Sequence, residues 1–161
     1  MKYYLICFLL MYSISSYGQF YTGGTTNISY DGGSICVDLA PEFGYKIDRY
    51  RAGVSPFILY KEVENIDNIT FGGRVYTEVD IMKDVYIHIE GQATRVQSIV
   101  LLTTGDVKRT KWVLSFPVGA GYRYKIANKT YAWGSVLYDF FLDENSPQKN
   151  PLLRGGITYE F

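Results

Sequence analysis

The sequence predicts an all-β fold of eight antiparallel strands in up-and-down order, closed into a barrel. Three observations predict it. Apolar and polar residues alternate with a period of two in one segment after another. The ionisable side chains of the clearest segments fall on a single face. The connections alternate between tight turns and longer, mostly polar stretches.

The chain opens with a segment that is not part of the barrel. Lys2 supplies a positive start, Tyr3 to Ile14 form a mostly apolar stretch, and Ser16-Tyr17-Gly18 is a small-x-small cleavage site. The apolar stretch has 12 residues, well short of the ~20 that a helical span needs. Residues 1–18 therefore read as a secretory signal peptide and 19–161 as one domain. Removal of the leader takes Lys2 with it and leaves 15 basic against 16 acidic side chains. A net charge of −1 gives no support for a nucleic-acid partner. Cys36 is the one cysteine left after cleavage, so no intramolecular disulfide and no paired-cysteine metal site is expected.

The strands follow in order. Residues 20–30 alternate loosely. Residues 34–47 are the clearest: Ile35, Val37, Leu39, Pro41, Phe43, Tyr45 and Ile47 oppose Ser34, Cys36, Asp38, Ala40, Glu42, Gly44 and Lys46. Residues 50–60 are again loose. In 69–81, Ile69, Phe71, Val75 and Val79 oppose Thr70, Arg74, Glu78 and Asp80. In 85–94, Val85, Ile87 and Ile89 oppose Tyr86, His88 and Glu90. Residues 113–126 set Leu114, Phe116, Val118, Tyr122 and Tyr124 against Ser115, Gly119, Arg123 and Lys125. The segment 130–142 is the weakest, because Asp139 shares a parity with Tyr131 and Trp133. Residues 152–161 close the set, with Leu153, Ile157, Tyr159 and Phe161 opposite Arg154, Thr158 and Glu160.

Asp48-Arg49, Met82-Lys83-Asp84 and Ala127-Asn128-Lys129 are the short turns; 61–68, 95–111 and 143–150 are the predicted long loops. Asp31-Gly32-Gly33 is a short exception on the long-loop side; short turns on one side and long loops on the other are the habit of membrane barrels, with the turns periplasmic. Both termini then lie on the periplasmic side. Two hairpins also resemble each other, since Tyr45-Lys46-Ile47 and Tyr124-Lys125-Ile126 each lead into a short turn.

The two faces decide between a soluble and a membrane barrel. One face carries Asp38, Glu42, Lys46, Arg74, Glu78, Asp80, Glu90, Arg123, Lys125, Arg154 and Glu160; the opposite face of those strands carries no charge. A soluble barrel would have to fit the Val, Ile, Leu, Phe and Tyr side chains of the apolar face inside. An eight-stranded lumen is only wide enough for side-chain filling or one small ligand. The apolar face is therefore predicted to meet lipid, and the 16 tyrosines suit the headgroup level on either side. The charged face then points inward, where buried ions must be paired. Glu42, Arg74, Glu78, His88, Glu90, Arg123, Arg154 and Glu160 are predicted to form a polar network that fills the lumen.

A last strand that alternates and stops on Tyr159-Glu160-Phe161, together with the leader, the eight strands and Pro41-Glu42-Phe43-Gly44-Tyr45, resembles the small outer-membrane barrel family related to the OmpX and OmpA transmembrane domains. The resemblance covers residues 20–161 and rests on patterns more than on fingerprints. It implies a location in the bacterial outer membrane, lipopolysaccharide and outer-membrane lipids as surroundings, and recognition of Tyr159 and Phe161 by the barrel-assembly machinery. No periplasmic peptidoglycan-binding domain follows the barrel in this sequence, unlike OmpA-type proteins.

Catalytic signals are few. His88, the single histidine, lies next but one to Glu90, as a general base beside its orienting carboxylate would. No G-x-S-x-G or His-x-Ser pattern accompanies it. Asp143-Glu144-Asn145 is a weak candidate for a divalent cation, and Lys108-Arg109-Thr110-Lys111 a short basic run. No cofactor or metal is expected. The function expected is a non-enzymatic outer-membrane barrel, structural or interacting through its loops. The alternatives are a lipid A-modifying enzyme, a narrow channel and a soluble periplasmic lipid-binding barrel. Within 95–111, apolar Ile99 to Leu102 followed by a Gly105-Asp106 turn reads as a protruding hairpin with pairable edges.

Overall fold

A computed structural model of the protein describes residues 18–31, 34–63, 66–102, 105–143 and 146–161. The predicted leader, apart from Gly18, lies outside the described residues. Nine strands follow one another: β1 (Gly18–Asp31), β2 (Ser34–Ile47), β3 (Tyr50–Val63), β4 (Ile66–Asp80), β5 (Val85–Leu102), β6 (Gly105–Ser115), β7 (Pro117–Ala127), β8 (Thr130–Asp139) and β9 (Leu152–Glu160). Each pairs antiparallel with its neighbours, and β1 pairs with β9 from Tyr21↔Glu160 to Ile28↔Leu153, which closes the sheet.

The barrel nevertheless has eight staves, because β6 and β7 occupy one position. Strand β5 pairs with β6 from Leu102↔Gly105 to Gln92↔Ser115, then with β7 from Ile89↔Val118 to Val85↔Tyr122, in one unbroken register. The interruption has a simple cause. Pro117 has no N–H to donate to the ladder, and the N–H of Phe116 donates instead to Asp139 Oδ1 at 3.1 Å.

Residues 34–47 form β2 with the bounds read from the sequence. One of the three predicted long loops is corrected, and in a second the predicted hairpin is longer than expected. Strand β3 runs to Val63 and β4 starts at Ile66, so most of 61–68 is hairpin. Strands β5 and β6 carry 95–111 as a paired ladder. Gly105 and Asp106 sit opposite Leu102 and Leu101 within that ladder, so they are not its turn; the connection at 103–104 lies outside the described residues. The backbone pairing continues through these stretches although the period of two in the sequence stops. Strand β8 ends at Asp139 instead of 142. The described residues between β8 and β9, 140–143 and 146–151, form no strand.

The short turns lie at one end with both termini of the barrel: Gly18 pairs with Ile47, and Phe161 N–H donates to the Phe20 carbonyl. The two echoing hairpins both turn at this end, through Asp48 and Lys129 at positive φ.

Candidate functional site

The barrel is packed inside out. Among the described residues the buried set is dominated by ionisable and polar groups, while Leu39, Val54, Ile58, Val75, Leu114, Val136 and Ile157 are exposed. In water that arrangement would waste the hydrophobic effect; in a bilayer the apolar face is already in its preferred medium. The outward polar groups fit the same setting. Thr22, Thr26 and Thr77 donate their hydroxyls to the Glu42, Asp38 and Arg51 carbonyls of adjacent strands at 3.0–3.1 Å, leaving no bare donor towards hydrocarbon.

Aromatic side chains mark two levels on the outer face. Phe20, Tyr50, Tyr122, Tyr124, Tyr159 and Phe161 ring the short-turn end; Tyr60, Phe71, Trp112, Phe116, Tyr138 and Phe140 ring the other, with aliphatic residues between. Tyr50 and Tyr60 stand near the two ends of this band on β3. At about 3.4 Å per residue and a tilt of roughly 40°, they lie about 26 Å apart along the barrel axis, close to the ~25 Å apolar band of membrane barrels. No helix among the described residues is long and apolar enough to cross a membrane.

Inside, one chain of ion pairs runs across the lumen. Gln148 donates to Asp38 Oδ2 at 2.8 Å, and Arg74 donates to the same oxygen at 2.8 Å. Arg74 Nε stands 3.9 Å from Glu90 Oε1. Glu90 Oε2 accepts from Arg154 and lies 3.1 Å from His88 Nε2. His88 Nδ1 lies 3.1 Å from Glu78 Oε1, and Glu78 Oε2 accepts from Arg123, which also donates to Asp80 at 2.9 Å. The chain joins Asp38, Glu78, Asp80 and Glu90 to Arg74, Arg123 and Arg154, with His88 bridging two of the carboxylates. At the short-turn end Glu160 receives Arg51 at 2.5 Å and Lys46 at 3.2 Å.

Of the residues predicted to share the lumen, Arg74, Glu78, His88, Glu90, Arg123 and Arg154 stand in this one chain. Glu160 stands in the second cluster, and Glu42 is buried beside them. Lys125, placed on the charged face by parity, is exposed, because it lies at the rim where that face meets water. Two members escaped the sequence reading. Arg51 belongs to the loosely alternating 50–60 segment, where inward Phe57 and Leu59 hide the parity. Gln148 comes from a stretch expected to be a solvated loop, yet it is buried and hydrogen-bonded to Gln92 and Asp38. The loop is held down at Asp139, whose backbone N–H and carbonyl both bond the Asn150 side chain.

Aromatic rings fill the remaining width. Tyr21 donates to Tyr76 at 3.0 Å, and Tyr76 stacks on His88 with ring centres 5.3 Å apart. Arg123 lies over the Tyr86 ring at 4.4 Å and Arg74 over Phe57 at 4.4 Å. These rings fit because the facing positions are glycine: a Cβ on Gly121 would stand 2.3 Å from Tyr86 Cζ, and one on Gly44 2.2 Å from Tyr21 Cζ. Trp133 also points inward, which removes the conflict that made 130–142 the weakest strand: Tyr131, Trp133 and Asp139 share the lumen side.

His88 is buried, and its two ring nitrogens face the Glu78 and Glu90 carboxylates. Asp143 of the candidate cation cluster holds Lys111 at 3.0 Å, while Glu144 and Asn145 lie outside the described residues. Among the described residues no group of three or more His, Cys, Asp or Glu could hold a metal ion.

No protein-family model matches the chain, and no curated protein does. Solved structures do. Ail, the attachment invasion locus protein of Yersinia pestis, superposes with a TM-score of 0.55 at 12% identity, over 89% of this chain and 97% of that one. Neisserial surface protein A gives 0.54 at 14% identity, over 89% and 97%. The N-terminal β-barrel domain of Pseudomonas aeruginosa OprF gives 0.53 at 11%, over 89% and 99%. The chain has the fold of small eight-stranded outer-membrane barrels. At such identities the likeness lies in the architecture: a closed, eight-stranded antiparallel sheet.

Proposed function

We propose that this chain is a non-enzymatic outer-membrane barrel, with its termini and short turns in the periplasm and its long hairpins outside the cell. The observation that carries the reading is the inverted burial: a polar, ion-paired lumen within an apolar, aromatic-girdled exterior. A lumen crossed by ion pairs and capped by Gln148 favours a plug over a channel, and His88 serves as a bridge between Glu78 and Glu90. Lipopolysaccharide and outer-membrane lipids form its surroundings, and Tyr159 and Phe161 are what the barrel-assembly machinery reads.

Its role beyond scaffolding is surface interaction through the β5–β6 hairpin. Strand β6 pairs with β5, and among the described residues no strand covers its other edge. An uncovered edge offers backbone donors and acceptors to an extended segment of another protein. Heat-modifiable gel migration in the outer-membrane fraction tests the location, with a soluble periplasmic protein as the contrary result. Protease added to intact cells should cut within 103–110. Cleavage at Asp48-Arg49 with 103–110 protected would invert the topology.

A further inference from the structure

The outer surface carries a furrow that no single strand reveals. The registers align Gly24 with Pro41, Pro56 with Gly73, and Gly73 with Ala93. The β2–β3 register, continued between Leu39↔Ile58 and Phe43↔Val54, sets Pro41 opposite Pro56. A row of outward residues with little or no side chain thus crosses five neighbouring strands. A Cβ on Gly24 or on Gly73 would meet nothing within 4 Å, so the floor is open. Two cavities of about 1020 and 490 Å³ lie along the row, the first over Gly24 and Pro41, the second over Pro56 and Gly73.

The walls are hydrocarbon. Leu39, Ile58 and Phe71 form the next row on one side, and Phe43, Val54 and Val75 the next on the other. At the β1 end Thr22 and Thr26 donate their hydroxyls to carbonyls, so neither has a proton left for a phosphate. The β5 end differs. Arg95 ends the upper wall, paired in register with Phe71 and Trp112 and with its guanidinium 5.1 Å over the Phe71 ring. Counted from the short turns, the row climbs from β1 towards β6, which brings this end up to the aromatic girdle.

We propose that the furrow binds one phospholipid, its acyl chain lying along Gly24, Pro41, Pro56 and Gly73 and its phosphate paired with Arg95. The occupant follows from three features. The furrow is continuous with the lipid-facing band; its length, four strand spacings of about 4.8 Å or roughly 19 Å, suits a chain that spans half of a ~30 Å hydrocarbon core; and the single cation stands at the headgroup level. One guanidinium matches a lipid with one phosphate. The inference rests on the membrane-spanning reading.

The test is native mass spectrometry of the full-length barrel released from nanodiscs of phosphatidylethanolamine and phosphatidylglycerol, with lipopolysaccharide added in a second arm. Each variant is first checked for the compact, heat-modifiable form, whose loss in the wild type would refute the membrane reading itself. The wild type should retain one phospholipid. Gly24→Leu and Gly73→Leu, which fill the floor without a clash, should each reduce retention at least tenfold, and Arg95→Gln should weaken it severalfold. Gly134→Leu, lipid-facing on β8 and with room for its Cβ, should leave it unchanged. Equal retention by the two floor variants and the wild type overturns the proposal, as does equal loss in Gly134→Leu or retention of lipopolysaccharide alone. Should a floor variant not fold, nuclear Overhauser contacts in the wild type decide. Acyl methylenes should reach Ile58 more strongly than Ile87, and equal contacts overturn the proposal.

Discussion

Replacing Glu90 by glutamine tests whether the lumen chain holds the barrel together. Glu90 is 2% exposed. One of its oxygens receives Arg154 and faces His88 at 3.1 Å, while the other faces Arg74 at 3.9 Å. Glutamine preserves the shape but removes the charge, and one of its two terminal atoms becomes a donor among donors. Arg74 keeps Asp38, and Arg154 keeps Gln92 Oε1 at 3.2 Å, so the loss is partial for each. Two charge-assisted bonds contribute about 1.5–3 kcal/mol each, and breaking a buried pair from one side costs about 3–5 kcal/mol. The expected loss is therefore about 3–5 kcal/mol. With a urea slope of ~2 kcal/mol per molar, the midpoint should fall by about 2 M. Urea unfolding in lipid vesicles, followed by tryptophan emission, measures it. Adding Arg154→Met to Glu90→Gln should cost less than the two single losses together, because the two side chains share one interaction. Lys111→Ala, which breaks the solvent-exposed pair with Asp143, should shift stability by no more than about 0.5 kcal/mol. A Glu90→Gln midpoint as close to wild type as that of Lys111→Ala would refute the network as a source of stability.

Three further outcomes follow from the same geometry. Arg123→Ala strips Glu78 and Asp80 of a shared partner and should cost about 3–5 kcal/mol in the same urea titration. Gly121→Val should prevent or severely weaken folding, since its Cβ would overlap the Tyr86 ring. Adding Tyr86→Ala should restore the heat-modifiable band, and no rescue would place the fault elsewhere. Deleting Phe161, whose N–H bonds the Phe20 carbonyl and whose ring packs edge-on against Tyr159, should lower the folded protein recovered from the outer membrane; undiminished recovery would remove its assembly role.

The strands were legible because two media act on the two faces of each one. Where lipid lies on one side and the lumen on the other, as in 34–47, side-chain chemistry alternates strictly and both ends can be read. Lys61-Glu62 carries no period of two, so 61–68 looked like a loop although its backbone pairs, whereas the hairpin within 95–111 was legible from its apolar run and its Gly-Asp pair, but not its length. The charged face pointed to most of the lumen chain. Arg51 was hidden by inward Phe57 and Leu59, which fill the upper lumen beside Cys36 and Ala40. Gln148 gave no local signal, because its burial depends on how the 140–151 segment folds back over the barrel mouth. The glycine-ring pairs and the outer furrow depend on cross-strand register, which no single segment contains.

The central claim is that the apolar face meets lipid while the charged face is sealed inside. Spin labels attached at Val54, Val75, Leu114 and Val136, one at a time in a Cys36→Ala background and in lipid vesicles, test it most directly. Dissolved oxygen should relax all four labels strongly and a water-soluble nickel chelate should barely reach them, while a label at Lys129 in the short turn should show the reverse. Free access of the chelate to the four outward positions would contradict it.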